Sequence, residues 1–284
     1  MPTKVKLRGL LGALAVSTTL SAAQAASPKA ATVERHNIFV APIAVVAAEQ
    51  SSNWFGYNQG TLEQESLGHG PMMFHAVTGD WNVPAVRRHG ARRGGQYSAT
   101  WAGIGGGCVD TACTVTDNTL IQAGTEQDVI NGKPQYSAWW EVIPAPSVTI
   151  NGMTIGPGDH VHVDIHETIA GSEVWSLSLS DITRNESFTQ TVAYSSNYAT
   201  AEWVSETPLI VGTSAGFAAL PRLSKVIFDN ASTNGGPAGL VTDEEIRLVN
   251  ANTGRVYSTP SGPDSDANGF TNCAWIRSCQ AVPS

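Results

Sequence analysis

From Ser51 onward, apolar residues come in short runs or in alternation, broken by Gly, Pro, Asn and Asp, and no helical period is sustained. His160 to His166 alternates with Val161, Val163 and Ile165, and Val174 to Leu179 alternates with serines. Leu209 to Gly212 and Lys225 to Phe228 are further strand candidates, with turns expected at Asn151-Gly152, Gly156-Pro157-Gly158 and Asn234-Gly235-Gly236. Thr242 to Val249 is ambiguous: it is short and acidic at its start and reads as a helix or a strand. No internal repeat is visible. The economical architecture is all-β, a two-sheet antiparallel β-sandwich.

The first fifty residues differ from the rest. Lys4, Lys6 and Arg8 precede a mostly apolar stretch from Leu10 to Leu20, and Ala23-Gln24-Ala25 has the small-x-small form of a cleavage site, so residues 1–25 are expected to be a secretory signal. Residues 26–50 are Ala-rich with an apolar run from Ile38 to Ala48, and are expected to be a pro-segment or an edge strand. Residues 51–284 then form a single domain, a length that sandwiches often reach.

Composition narrows the function. Apolar content is 42% and charged content 14%, which disfavours a disordered tail, a coiled coil or a collagen-like rod. The formal charge is −8, and losing Lys4, Lys6 and Arg8 with the signal makes it −11, so nucleic acid is not an expected partner. No later run approaches the ~20 apolar residues of a membrane helix. An exported, monomeric chain with no membrane contact is expected.

Four cysteines in an exported chain favour disulfides. Three connectivities are possible, and the local pairs Cys108 with Cys113 and Cys273 with Cys279 are favoured because short loops cost little closure entropy. Neither spacing is that of a structural zinc site.

The chain contains no H-E-x-x-H, G-x-S-x-G, Walker loop or dinucleotide fingerprint in a strand-helix context. It does contain six short segments in order. They are Ser51-Ser52-Asn53-Trp54-Phe55-Gly56-Tyr57, Val77 to Pro84 (VTGDWNVP), Trp101 to Gly106 (WAGIGG), Leu120 to Gly124 (LIQAG), Tyr136 to Glu141 (YSAWWE) and Ala201 to Glu206 (AEWVSE). In order and spacing over about 160 residues, these segments resemble the glutamic peptidases, the eqolisin family of secreted acid endopeptidases. The resemblance implies a concanavalin A-like, jelly-roll type sandwich that cleaves protein or peptide substrates without a metal or other cofactor. It carries the family's glutamine onto Gln122 and its glutamate onto Glu206. Glu202 is the rival, because Glu202, Val204 and Glu206 share one strand face. Trp101, Trp139 and Glu141 fall where the family lines its substrate cleft, with Trp139 and Glu141 on one strand face.

Such a pair is chemically sufficient. Amide hydrolysis needs a base for water, a donor for the oxyanion and an acid for the leaving nitrogen. One carboxyl group can take and return the proton, while a primary amide donates to the oxyanion and orients the water through its carbonyl. Neither role uses a titrating cation, so the pair suits acid. Taken singly, Gln122 reads as an ordinary strand glutamine and Glu206 as a solvated acid at a strand end. A non-catalytic concanavalin-like module that holds carbohydrate on its tryptophans is the alternative reading.

Gly105 and Ser137 stand where the fungal members of the family carry aspartates. A thinner set of like charges would lift the catalytic acid less, and a pH optimum less extreme than the family's is expected. His160, His162, Asp164 and His166 share one side of a strand at ~6.5–7 Å intervals, too far apart for more than two to reach one ion. A metal-dependent hydrolase centred there is a further rival; a polar face that charges in acid is favoured. Arg87 to Arg93 reads as an exposed basic loop open to nicking, and Asn185-Glu186-Ser187 and Asn230-Ala231-Ser232 are glycosylation sequons.

Overall fold

Two large antiparallel sheets stack against each other in the computed structural model, which describes residues 38–70, 72–91, 94–210 and 216–280. The signal assigned to residues 1–25, the first part of the 26–50 segment, Arg92 and Arg93, and the end of the Leu209 to Gly212 candidate lie outside the described residues. All described residues fall in one compact unit.

The first sheet runs, edge to edge, through Val148–Thr149, Lys133–Val142, Leu120–Ile130, Ala99–Gly105, Thr200–Glu206, Trp54–Gly60 and Glu245–Val249. The second runs through Glu186–Ala193, Val174–Asp181, His160–Glu167, Ala76–Asn82, Val226–Thr233, Phe270–Ala274 and Val256–Pro260. Glu245–Val249 joins the sheets, since its first residues pair with Tyr57 and Gly56 and its last with Ser258 and Val256.

Alternation explains the second sheet. In His160–Glu167 and Val174–Asp181 every second residue is buried, with Val161, Val163, Ile165, Trp175, Leu177 and Leu179 turned inward. They meet Tyr57, Ile104, Ile121, Ala123 and Trp203 of the first sheet in one core. Each large apolar side chain buried there contributes about 1.5–3 kcal/mol. Indole N–H groups tie the layers: Trp203 donates to the Thr78 carbonyl at 2.6 Å and Trp81 to Thr125 Oγ1 at 3.1 Å.

The first sheet behaves differently. Trp54–Gly60, Ala99–Gly105 and Thr200–Glu206 are buried at every position, and Leu120–Ile130 at all but the last. Its outer face is therefore covered as well. Trp54, Ala99, Trp101, Leu120, Trp139 and Val204 form a second apolar cluster there, joined by Val40 and Ile43 from the N-terminal segment.

The three expected turns lie at strand connections. Thr242 to Val249 contains both alternatives, a 3-10 turn over Thr242–Glu244 and then the linking strand Glu245–Val249. A short helix, Thr61–Ser66, was not anticipated. Cys108 is bonded to Cys113 and Cys273 to Cys279, the two local pairs.

Candidate active site

Strand register brings the candidate residues together. Gln122 lies opposite Glu141 on one side and Gly103 on the other; Gly103 in turn faces Glu202, while Glu206 lies between Ala99 and Trp54. Two glycines make room. A Cβ on Gly124 would sit 2.5 Å from Trp101 Cβ and one on Gly103 3.0 Å from Gln122 Cβ, so both backbones are approached by the side chains of the strand beside them.

Glu206 is fully buried, not solvated as a strand-end acid would be. Its Oε2 accepts the Trp101 indole N–H at 3.2 Å, and its Oε1 accepts Asn53 Nδ2 at 3.3 Å and the Ala41 backbone N–H at 3.1 Å. Gln122 Nε2 donates to Glu141 Oε2 at 2.8 Å and to the Val40 carbonyl at 3.2 Å. Gln122 Oε1 is buried with no hydrogen-bond partner among the described residues. Gln122 and Glu206 thus hold the two ends of one peptide unit, the carbonyl of Val40 and the nitrogen of Ala41.

Burial dominates the electrostatics. It pushes Glu206 well above the usual carboxylate range, with the Glu141 charge adding to the rise and the Ala41, Asn53 and Trp101 donors opposing it. Burial likewise lifts Glu141 to about 8, against the hydrogen bond from Gln122. Desolvation leads for both acids, so the carboxylates absent at Gly105 and Ser137 bear only on a secondary cause.

Glu202 is equally buried but does not reach Val40 or Ala41 by any hydrogen bond. Neither of its oxygens makes a hydrogen bond of ordinary geometry, though Thr200 lies near enough to favour the charged form slightly; burial leads and raises it well above the ordinary value. Trp101 and Glu141 touch the pair directly. Trp139 shares their face and the apolar cluster, but its indole N–H has no hydrogen-bond partner among the described residues.

A family model for the Peptidase A4 family matches residues 52–268. The chain belongs to that family, the glutamic peptidases. Among solved structures, scytalido-glutamic peptidase bound to a transition-state analog inhibitor is 20% identical, with a TM-score of 0.60 over 78% of this chain and 98% of that one. SCP-B, an eqolisin in complex with the tripeptide Ala-Ile-His, is 18% identical with a TM-score of 0.54 over 78% and 98%. Aspergilloglutamic peptidase from Aspergillus niger is 22% identical with a TM-score of 0.50 over 64% and 99%. These likenesses carry the sandwich fold. No curated protein sequence matches the chain.

In this glutamic endopeptidase the residues that sequence reasoning left without a role are Asn53, Trp54 and the segment over them. Asn53 Nδ2 donates to the Pro42 carbonyl at 3.1 Å and Asn53 Oδ1 accepts the Ala44 N–H at 2.7 Å, while Trp54 Nε1 donates to the Ala41 carbonyl at 2.9 Å. Both sit in the S-S-N-W segment, whose polar-aromatic pair at the start of a strand was the available signal. A sizeable cavity lies elsewhere. It holds about 730 Å³, is lined by His89, Gln96, Phe217, Arg255 and Trp275, and none of the five site residues faces it.

The His160 strand does share one polar face, on the second sheet. Its rings are engaged by carboxylates: His160 Nε2 and His162 Nδ1 with Asp80, and His166 Nδ1 with Asp164 at 2.8 Å. Among the described residues no three His, Cys, Asp or Glu side chains are grouped to hold a metal ion. In the basic run, Arg87 pairs in a short ladder with Arg222, and Arg88 donates to the Gly94 carbonyl at 3.2 Å. Asn230 of the second sequon donates to Asp80 Oδ2 at 3.1 Å, a bond that a glycan on Nδ2 would disturb.

Proposed function

We propose that this peptidase hydrolyses protein substrates with Glu206 as general base and acid and Gln122 as oxyanion donor. The observation that carries the reading is the single peptide unit between Gln122 Nε2 and Glu206 Oε1. Glu206 in its ionised form takes a proton from water as the water attacks the substrate carbonyl. Gln122 Nε2 donates to the developing oxyanion, and its Oε1, which has no partner among the described residues, accepts from the attacking water. Glu206 then delivers its proton to the leaving nitrogen. Trp101 and Asn53 hold the carboxylate in line, and Glu141 fixes the Gln122 amide through its second N–H.

The reading includes work in acid, export and a monomeric state. Neither Gln122 nor Glu206 depends on a titrating cation, which suits acid, and both disulfides suit an oxidising compartment. No helix among the described residues is long and apolar enough to cross a membrane.

Digestion of a denatured protein in acid tests the dyad. Activity is expected to survive a chelator and to fall by roughly 10²–10⁴ in Gln122→Ala and Glu206→Gln, with circular dichroism unchanged. Full activity in either folded variant, or loss on chelation, would remove these residues from the mechanism.

A further inference from the structure

The cavity away from the active site has a chemistry of its own. The His89 imidazole lies flat on the Trp275 indole, with ring centres 3.8 Å and planes 6° apart, and Tyr257 leans on the same indole at 5.2 Å. Phe217 also lines the cavity and is 39% exposed, one of the large apolar side chains left open to water. The other three rings are fixed in place. Trp275 Nε1 donates to the Pro221 carbonyl at 2.9 Å, and Asn250 Nδ2 donates to the Tyr257 hydroxyl at 2.7 Å. Gln96 brackets the His89 backbone, accepting its N–H at 2.8 Å and donating to its carbonyl at 2.7 Å. A volume of about 730 Å³ within such walls suits a pre-formed site for a small ligand.

Two polar groups of the lining are unmatched. Among the described residues His89 Nδ1 is buried without a hydrogen-bond partner, and the Arg255 guanidinium has neither a carboxylate nor another acceptor. The guanidinium donates only, and the imidazole nitrogen donates when it carries the proton. Burial, and after it the charge of Arg222, hold His89 below the usual imidazole value. In a chain of net charge −8 this corner is therefore locally positive, and the basic run contributes His89, Gly90 and Ala91 to its wall. Aromatic faces beside two donors suit an apolar group that carries a carboxylate.

We propose that this cavity is a second peptide site, which takes the C-terminal residue of a peptide when that residue is aromatic. The ring of that residue lies among Trp275, Tyr257 and Phe217, and its carboxylate meets Arg255 and His89 Nδ1. Every cut by an endopeptidase creates a carboxylate end, and with an ordinary pKa of about 3.3–3.7 that end stays ionised in mild acid. The site abuts the catalytic strand without sharing the five residues of the active site. Thr207, directly after Glu206, lines the cavity; its N–H donates to the Asn53 carbonyl at 2.9 Å and its hydroxyl to the Ala218 carbonyl at 2.6 Å. A bound terminus rests on the Gly216–Phe217 edge of a hairpin whose other strand, Leu209–Ile210, pairs with Ile38–Phe39. The inference is independent of the Gln122 and Glu206 reading, since no bond is broken.

Titration calorimetry of the full chain at about pH 5, where the terminal carboxyl is ionised, tests it with N-acetyl-Ala-Phe. Saturable binding with a Kd of about 0.01–1 mM is expected. The same dipeptide ending in a carboxamide should bind roughly tenfold or more weakly. Arg255→Gln should abolish that difference, and Phe217→Ala should weaken the acid and the amide alike by roughly tenfold. Both substitutions fall at exposed positions, and circular dichroism should be unchanged. Absence of saturable binding, equal binding of acid and amide, or wild-type affinity in either folded variant overturns the inference; a peptide seated in the active-site cleft would be indifferent to Arg255→Gln. Phenylacetate binding as tightly as the dipeptide would reassign the cavity to free aromatic acids and overturn the peptide assignment.

Discussion

The outer faces of the two sheets hold their acids in opposite ways. On the first, Glu206, Glu141, Glu202 and Asp128 are buried, and desolvation raises all four. On the second, burial also opposes ionisation of Asp80, but hydrogen bonds from His162, Asn230 and His160 outweigh it and the pKa falls. Glu167, at the end of the inward row of His160–Glu167, follows suit: the Gly171 amide, His75, the Glu173 amide and Tyr198 overcome desolvation and bring it to about 2. Ion-pairing histidines and backbone donors, not burial, decide the sign. One sheet thus stores protonated acids and the other ionised ones, and both conditions are met together only in moderately acidic solution.

The largest expected effect is on stability against pH. Glu141 and Glu63, at about 8, and Glu244 and Glu245, at about 7, bind protons more tightly folded than unfolded. Their contribution is complete below the unfolded value near 4.5 and is lost as pH rises through 7 to 8. Glu167 contributes in the other direction, with stability present above about 4.5 and lost as pH falls through 2. A Tm maximum between about pH 3 and 5, with a drop of roughly 5–10 °C by pH 8, is expected in scanning calorimetry. A Tm that climbs steadily to pH 8 would break the comparison.

Asp80→Asn tests the second face. It removes the carboxylate held by His160, His162 and Asn230, at an expected cost of about 1–3 kcal/mol. His162 is raised chiefly by its bond to Asp80, so that loss should be greatest where both are charged, between about pH 4 and 6.5, and shrink outside. An equal loss at pH 8 would remove ion pairing as the cause.

Trp101→Phe sharpens the first face at smaller cost. Without the indole N–H on Oε2 the Glu206 carboxylate loses a donor, its pKa rises further, and the acid limb of the kcat/KM profile moves to higher pH with a loss of about tenfold or less. A limb that stays in place would show that this hydrogen bond does not tune the acid. Trp139→Phe serves as the control. Its N–H has no partner among the described residues, so the profile should keep its pH dependence and any change should appear in KM.

Alternation made the sandwich legible, because His160–Glu167 and Val174–Asp181 bury one face each. Six ordered segments pointed to Gln122 and the Glu202/Glu206 strand. Period 2 puts Glu202 and Glu206 on one face, and their neighbours differ: Glu206 falls beside Trp54, Asn53 and Ala41, and Glu202 does not. The apolar run from Ile38 was visible as an edge strand or pro-segment, but not its destination, since its contacts span 82 residues to Gln122 and 165 to Glu206. Long-range pairing of that kind leaves no local pattern. The strength of burial was hidden for the same reason, as both layers over Glu206 come from distant parts of the chain.

Gly124 shows how little separates this arrangement from a different one. The Trp101 Cα and Cβ, which carry the indole that donates to Glu206, stand directly over a backbone with no side chain, and the space there would not admit a single carbon, which would also meet the Thr100 carbonyl oxygen at 2.2 Å. Any other residue at 124 would pry the indole upward and loosen its grip on the acid from the far side of the neighbouring strand. The proton affinity of Glu206 is thus governed partly by the lone hydrogen atom that Gly124 carries in place of a side chain two strands away.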